Sequence, residues 1–203
     1  MKKIIHKLLV GVLLVVMFGF LFQIKYIPNA RKFEINNEAK AENFVPRLTV
    51  KYTELYVPNI NSSFKTWMSY KAVTNKKSPQ YKFIHRWGWI DSEGFMRCSG
   101  ERDLGINQDY YLIALGSYYG TTIGTKYRIT LDTGRVFYGA LADCKANKHT
   151  NSTNQYAKNK DIVEFLVDVK TLNKNVKRMG NANVYMPLNG SVVKIERMDF
   201  IVE

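Results

Sequence analysis

The feature that most constrains the fold is a succession of short β-type segments separated by Gly and Asp turns, between residues 113 and 169. Residues 126–131 alternate polar and apolar side chains, and Asp132-Thr-Gly134 then leads through Arg135 into an apolar run over residues 136–142. This pattern is typical of a β-hairpin, because successive strand side chains point to opposite faces and an Asp/Gly turn reverses the chain. Several such segments with one or two short helices predict a mainly β domain, either a closed barrel or a sandwich.

The N-terminus carries an unbroken apolar run over residues 8–22, preceded by Lys2, Lys3 and Lys7. Its length and basic flank are typical of a signal peptide or a short membrane span. The segment Gln23-Ile-Lys-Tyr that follows has no small residues for cleavage. We therefore expect residues 1–25 to be an uncleaved, single-pass membrane helix, with the rest of the chain on the extracytoplasmic side of the cell membrane.

The remaining chain divides into a linker and one domain. Residues 26–60 are polar, of mixed charge and interrupted by prolines, which predicts a stalk. Residues 61–203 form the predicted domain, which begins with a short amphipathic helix from Asn61 because apolar residues recur there every three or four positions. The alternating aromatic residues of segment 81–90 predict a strand.

The charge balance indicates the class of partner. Thirty Lys and Arg against 17 Asp and Glu give a formal charge of +13, which favours an anionic partner. An outward-facing domain without a basic motif interleaved with base-stacking residues does not suit nucleic acid. Peptidoglycan or an anionic cell-wall polymer is the predicted partner, with the membrane contacted through the N-terminal helix. The sequence does not indicate an oligomeric state.

The few histidines and cysteines bear on metals and disulfides. Three histidines and two cysteines occur without the close spacing of metal ligands, so we predict no metal and no cofactor. Cys98 and Cys144 lie in a compartment that permits a disulfide, and the alternative is that each is a small buried hydrophobic residue.

Two acidic residues are candidates for chemistry. The two-residue period of segment 161–169 places Glu164 on the face opposite the core, between Ile162 and Leu166. A partly desolvated carboxyl there would have a raised pKa and could act as a general acid, whereas a solvated position would make it an ordinary surface residue. Asp143 ends an apolar run, where it could serve function or cap a turn.

The order of these motifs resembles a known family. Ile123-Gly-Thr-Lys-Tyr-Arg-Ile, Tyr138-Gly-Ala-Leu-Ala-Asp143 and Ile162-Val-Glu164-Phe are similar to the "PLGT", "A-D-T-G-G" and "R-I-D-x-F" motifs of double-psi β-barrel domains of the 3D and MltA type. The likeness covers residues 113–169. It departs from the family at Cys-Lys-Ala after Asp143, in a longer loop, and in Glu for Asp at position 164. The whole chain also resembles uncharacterised membrane-anchored proteins of Gram-positive bacteria.

The resemblance implies a six-stranded double-psi β-barrel with short peripheral helices, acting as a peptidoglycan lytic transglycosylase. Glu164 would be the catalytic acid and base, and Asp143 its companion. The polar loop over residues 145–160 offers hydrogen-bond donors and acceptors for a glycan, so Lys145, His149, Thr150 and Asn154 are predicted to bind substrate. Tyr119, outside this loop, is the fifth predicted substrate-binding residue. The alternative is a non-catalytic envelope module that binds an anionic wall polymer or another envelope protein.

Overall fold

The computed structural model of the protein describes residues 48–202. Within that range the chain forms two α-helices, α1 (Pro79–Trp87) and α2 (Lys174–Met179), and nine strands. The strands are β1 (Leu48–Leu55), β2 (Trp67–Ser69), β3 (Trp89–Ile90), β4 (Met96–Cys98), β5 (Tyr110–Leu115), β6 (Lys126–Leu131), β7 (Val136–Cys144), β8 (Glu164–Val167) and β9 (Val192–Val202). Short 3₁₀ turns connect several of them.

The nine strands form one mixed sheet in the order β1-β9-β6-β7-β5-β4-β3, with β8 pairing both β5 and β2. Strand β5 is the hub. It runs parallel to β7 on one edge, and on the other edge β4 pairs its first residues and β8 its last. The prediction of a mainly β domain is confirmed. The sheet differs from a six-stranded closed barrel, because no pairing among the nine described strands joins β1 to β3.

The predicted hairpin is present as β6 and β7, which pair antiparallel. The alternation in β6 buries Tyr127, Ile129 and Leu131 and leaves the intervening side chains partly exposed. Gly134 in the connecting turn has a φ of 78°, which a residue without a Cβ adopts at little cost.

Apolar side chains pack on both faces of the central strands. One cluster includes Tyr111, Ile113 and Leu115 of β5, and the other includes Tyr110 and Leu112 of the same strand. The second cluster also contains Ile84, the buried residue of α1, so this helix packs on that face. Strand β5 is therefore buried on both sides, and it fixes the positions of the strand ends beside it.

Three local predictions differ from the structure. Leu48–Leu55, within the predicted stalk, is β1 and pairs with β9. The helix predicted from Asn61 is wrong: the chain there is irregular and leads into β2, which pairs parallel with β8. The strand predicted over 81–90 is wrong for most of its length, because α1 occupies it; Ser78 caps this helix by accepting a hydrogen bond from the Tyr81 N–H, and a proline stands in the first turn.

The two cysteines are free thiols. Cys98 pairs with Tyr110 and Cys144 with Leu115, at opposite ends of β5, which places them about 17 Å apart along the strand. That separation is well beyond the reach of a disulfide.

The predicted membrane helix, residues 1–25, lies outside the described residues. Between residues 48 and 202, no helix is long and apolar enough to cross a membrane.

Candidate functional site

The strand register brings the two predicted carboxylates to one face of the sheet. Ala114 of β5 pairs with Asp143 of β7 on one edge and with Glu164 of β8 on the other. Directly opposed residues in neighbouring strands project to the same face, and two strand spacings separate the outer Cα atoms by about 10 Å. Asp143 and Glu164 therefore flank the C-terminal end of β5 on the same side.

A β-bulge in β7 is what aims Asp143 at this face. Ile113 pairs with Leu141, whereas Ala114 pairs with Asp143, so Ala142 is an extra residue in the ladder. Without the bulge, Asp143 would lie opposite Leu115 and point into the apolar cluster on the other face. One inserted residue thus decides whether the two carboxylates share a face.

A buried ion pair lies directly beside Glu164. The ammonium of Lys145 is 2.7 Å from Oδ2 of Asp161 and 3.9 Å from Oε2 of Glu164. The side chains of Lys145 and Asp161 are only 6% and 1% exposed. The Thr66 hydroxyl also donates to Oδ2 of Asp161, while Oδ1 has no hydrogen-bond partner among the described residues. Four residues from three chain segments thus form one polar cluster, Thr66, Lys145, Asp161 and Glu164.

The Glu164 carboxyl combines burial with access. Its side chain is 24% exposed, so a substrate can reach it. Burial raises its pKa above the ordinary value, and the Lys145 ammonium opposes that rise. The charges of Asp161 and Asp143 raise the pKa further, because a second negative charge nearby disfavours ionisation. A partly accessible carboxyl with a raised pKa has the properties required of a general acid.

The ion pair itself is strongly desolvated. Burial raises the pKa of the Asp161 carboxyl, and the hydrogen bonds from Lys145 and Thr66 oppose that rise. An ion pair in such a setting is held in place by its mutual attraction, since either charge alone would be poorly solvated. Lys145 is therefore a member of the polar cluster, whereas the sequence analysis assigned it to glycan binding.

The other predicted binding residues are dispersed. Tyr119 is 2% exposed and belongs to the apolar cluster around β5, so its side chain does not reach a substrate. The reason is local: its carbonyl accepts a hydrogen bond from the Tyr127 hydroxyl, which packs residue 119 into the core. His149 is exposed in a 3₁₀ turn. The Thr150 hydroxyl lies 2.9 Å from Oδ1 of Asn154, and both residues are half-buried in the loop after β7.

Sequence reasoning missed Asp161 and Thr66. Asp161 had a usable signal, because it opens the same apolar run that carries Glu164. Thr66 had none, since its contact depends on the backbone N–H of Phe165 donating to the carbonyl of Thr66 next to the parallel β2–β8 pairing. No cluster of three or more His, Cys, Asp or Glu side chains able to hold a metal occurs between residues 48 and 202.

The chain was compared with protein families, curated proteins and solved structures. No family model matches the chain, and no curated protein and no solved structure matches it.

Proposed function

We propose that this protein is a membrane-anchored peptidoglycan lytic transglycosylase that uses Glu164 as its general acid and base. The observation that carries the proposal is a partly accessible carboxyl of raised pKa, on the same sheet face as a second carboxylate. This environment suits proton donation to a glycosidic oxygen near neutral pH.

The reaction needs two proton transfers, one from Glu164 and one back to it. Protonated Glu164 donates to the glycosidic oxygen as the bond from that oxygen to C1 breaks. The C6 hydroxyl of the same sugar then attacks C1, and the Glu164 carboxylate takes the hydroxyl proton. The products are a shortened glycan and a 1,6-anhydro sugar, without consumption of water. The Lys145 ammonium, 3.9 Å from Oε2, stabilises the carboxylate between the two transfers.

Asp143 has a supporting role in this proposal. It faces the same side of the sheet as Glu164, about 10 Å away by strand spacing. At that separation its carboxylate stabilises the positive charge that develops on the sugar ring. His149, Thr150 and Asn154 supply hydrogen-bond groups from the loop after β7, whereas the buried Tyr119 has no part in binding.

Localisation and fold family belong to the same proposal. The N-terminal apolar run would hold the domain at the outer face of the membrane, where it meets the cell wall. The proposed relation to double-psi β-barrel domains has two supports. The first is the order of the motifs in the sequence. The second is the pairing of β7, which runs parallel to β5 on one edge and antiparallel to β6 on the other.

The test is the release of 1,6-anhydro muropeptides from purified peptidoglycan, measured by mass spectrometry. Glu164→Gln should lower the rate by about two to four orders of magnitude, the usual contribution of a general acid. Glu54→Gln is the matched control, because this Glu is 68% exposed and lies on β1. Unchanged release by Glu164→Gln, or no release by the unaltered chain, rules the proposal out.

The charge of +13 favours one other function, a non-catalytic module that binds an anionic wall polymer. Its signature is wall binding that weakens with added salt and is indifferent to Glu164→Gln. A sedimentation assay with purified cell walls separates the two functions, since a binding module cosediments with walls but releases no anhydro sugar.

A further inference from the structure

A second polar position on the same face of the sheet lies away from the carboxylates. Lys126 opens β6 and pairs with Ala140 of β7, which belongs to the cluster under α1. Strands β7 and β5 separate it from Glu164 on β8. Any ligand group at Lys126 is therefore distinct from the atoms that react at Glu164.

The Lys126 ammonium lacks a charged partner. It forms no salt bridge with any residue between 48 and 202. Its one hydrogen bond in that range is to the Cys98 thiol, at 3.3 Å. The ammonium lies 4.2 Å from the centroid of the Tyr110 ring and 5.7 Å from that of Phe83. Aromatic rings stabilise a cation but accept at most weak hydrogen bonds, so N–H donors remain for an anion.

Lys126 lines a pocket of about 330 Å³ whose other walls are Phe83, Trp87, Cys98, Ser99 and Glu101. A pocket of this size accommodates one sugar ring or a group of similar volume. A neighbouring pocket shares Lys126 and Glu101 and adds Arg197. The Arg197 guanidinium is paired with Asp199, which lines the same pocket 2.9 Å away, so of these two cations only Lys126 is without a salt bridge to residues 48–202.

The pocket also offers a flat apolar surface. Trp87, at the C-terminal end of α1, is 57% exposed, and the Arg86 guanidinium lies 4.9 Å from its ring centroid. An exposed indole suits the C–H face of a sugar. Glu101 accepts a hydrogen bond from the Tyr110 hydroxyl, and its other oxygen can accept one from a ligand hydroxyl or amide.

We propose that this pocket is a subsite for an acidic saccharide, with the sugar ring against Trp87 and its carboxylate bound by Lys126. The choice of N-acetylmuramic acid as the acidic sugar rests on the proposed function. The inference that the pocket binds an acidic saccharide rests on the pocket residues and is independent of that function. N-acetylglucosamine is the matched neutral ligand, because it lacks the lactyl carboxylate and shares the ring and acetamide.

The experiment is a titration of tryptophan fluorescence in the full chain held in a neutral detergent. Trp87→Phe assigns the signal among the three tryptophans. N-acetylmuramic acid should bind about tenfold or more tightly than N-acetylglucosamine, the gain of one hydrogen bond to a charged group. Lys126→Met should bring the two sugars to equal affinity, and Trp87→Ala should weaken both. Lys158→Met, an exposed lysine in the loop after β7, is the matched control and should change neither.

Equal binding of the two sugars by the unaltered chain, or unchanged preference in Lys126→Met, overturns the proposal. Lactate that binds as tightly as N-acetylmuramic acid overturns the saccharide part and leaves an anion site. If Lys126→Met does not fold, added sodium chloride provides the test. It must weaken the binding of the acidic sugar and leave the binding of the neutral sugar unchanged. The same titration in Glu164→Gln should give the same affinities, so failure of this subsite and failure of the catalytic proposal are read separately.

Discussion

Lys145→Met should destabilise the protein strongly, because it leaves the Asp161 carboxylate buried without its cation. The two groups are 2.7 Å apart, and their side chains are 6% and 1% exposed. Removing one member of a buried ion pair costs about 3–5 kcal/mol. For a domain of about 150–250 residues, each kcal/mol lowers the melting temperature by about 2–4 °C, so the expected fall is about 6–20 °C.

Thermal unfolding followed by near-ultraviolet circular dichroism of the full chain measures this fall. The exposed pair Arg197–Asp199 is the matched control, because its nitrogen and oxygen are 2.9 Å apart but its side chains are 43% and 38% exposed. Arg197→Met should cost less than about 1 kcal/mol. The double variant Lys145→Met/Asp161→Leu should melt above Lys145→Met, since it removes both charges and leaves neither unpaired.

Two results would refute this reasoning. A melting temperature for Lys145→Met within the range of Arg197→Met would mean that the buried carboxylate is neutralised or solvated some other way. A double variant no more stable than Lys145→Met would mean that the lost packing of the lysine stem, and not the unpaired charge, causes the damage.

Three further outcomes are expected. Burial lowers the pKa of Lys65 to about 8, so the folded state disfavours its charge. The melting temperature should therefore rise as the pH increases from about 8 towards 10.5, the ordinary pKa of lysine in the unfolded chain. Lys65→Met should flatten this rise. Because burial raises the pKa of Glu164, anhydro-muropeptide release should fall as the pH rises through that raised pKa, as initial rates across a pH series would show; a rate that instead rises with pH over the same range contradicts the acid assignment. Gly116→Ala should cost about 1–3 kcal/mol in thermal unfolding, because its Cβ would lie 2.0 Å from the carbonyl oxygen of Asn154; an unchanged melting temperature would mean that the loop yields freely.

The hairpin could be predicted from the sequence because everything it needs is local. The alternation in β6, the Asp132-Thr-Gly134 turn and the apolar run of β7 all lie within 20 residues of one another. The helix predicted from Asn61 and the strand predicted over 81–90 were wrong because non-local packing decides the structure there. Aromatic alternation favoured a strand over 81–90, but the Ser78-Pro79 cap and burial of Ile84 against the sheet stabilise a helix there. Tertiary packing overrode a weak local preference.

The candidate site could be predicted only in part, for a related reason. Asp143 lies at a strand end that the sequence marks, whereas Glu164 begins β8 although the sequence pattern placed it inside a longer strand over 161–169. Their shared face depends on the bulge at Ala142, and no residue type there signals an insertion. The Thr66 contact to Asp161 joins positions 95 apart in the chain, through a parallel pairing that no short-range pattern reveals. The shared face of the two carboxylates and the Thr66–Asp161 contact therefore depend on non-local strand pairing, which local sequence patterns do not predict.

The arrangement of charges around Lys145 bears on the proposal that Glu164 is the acid. Asp161 and Glu164 place two carboxyls beside the single ammonium of Lys145. That ammonium is 2.7 Å from Asp161 but 3.9 Å from Glu164, so it compensates the charge of Asp161 first. Protonation at Glu164 then relieves the remaining repulsion, and Glu164 is also the partly exposed member of the pair that Lys145 contacts. In the proposed function the two carboxyls would have different roles: Asp161 would hold Lys145 in place, and the more exposed Glu164 would exchange protons with the substrate.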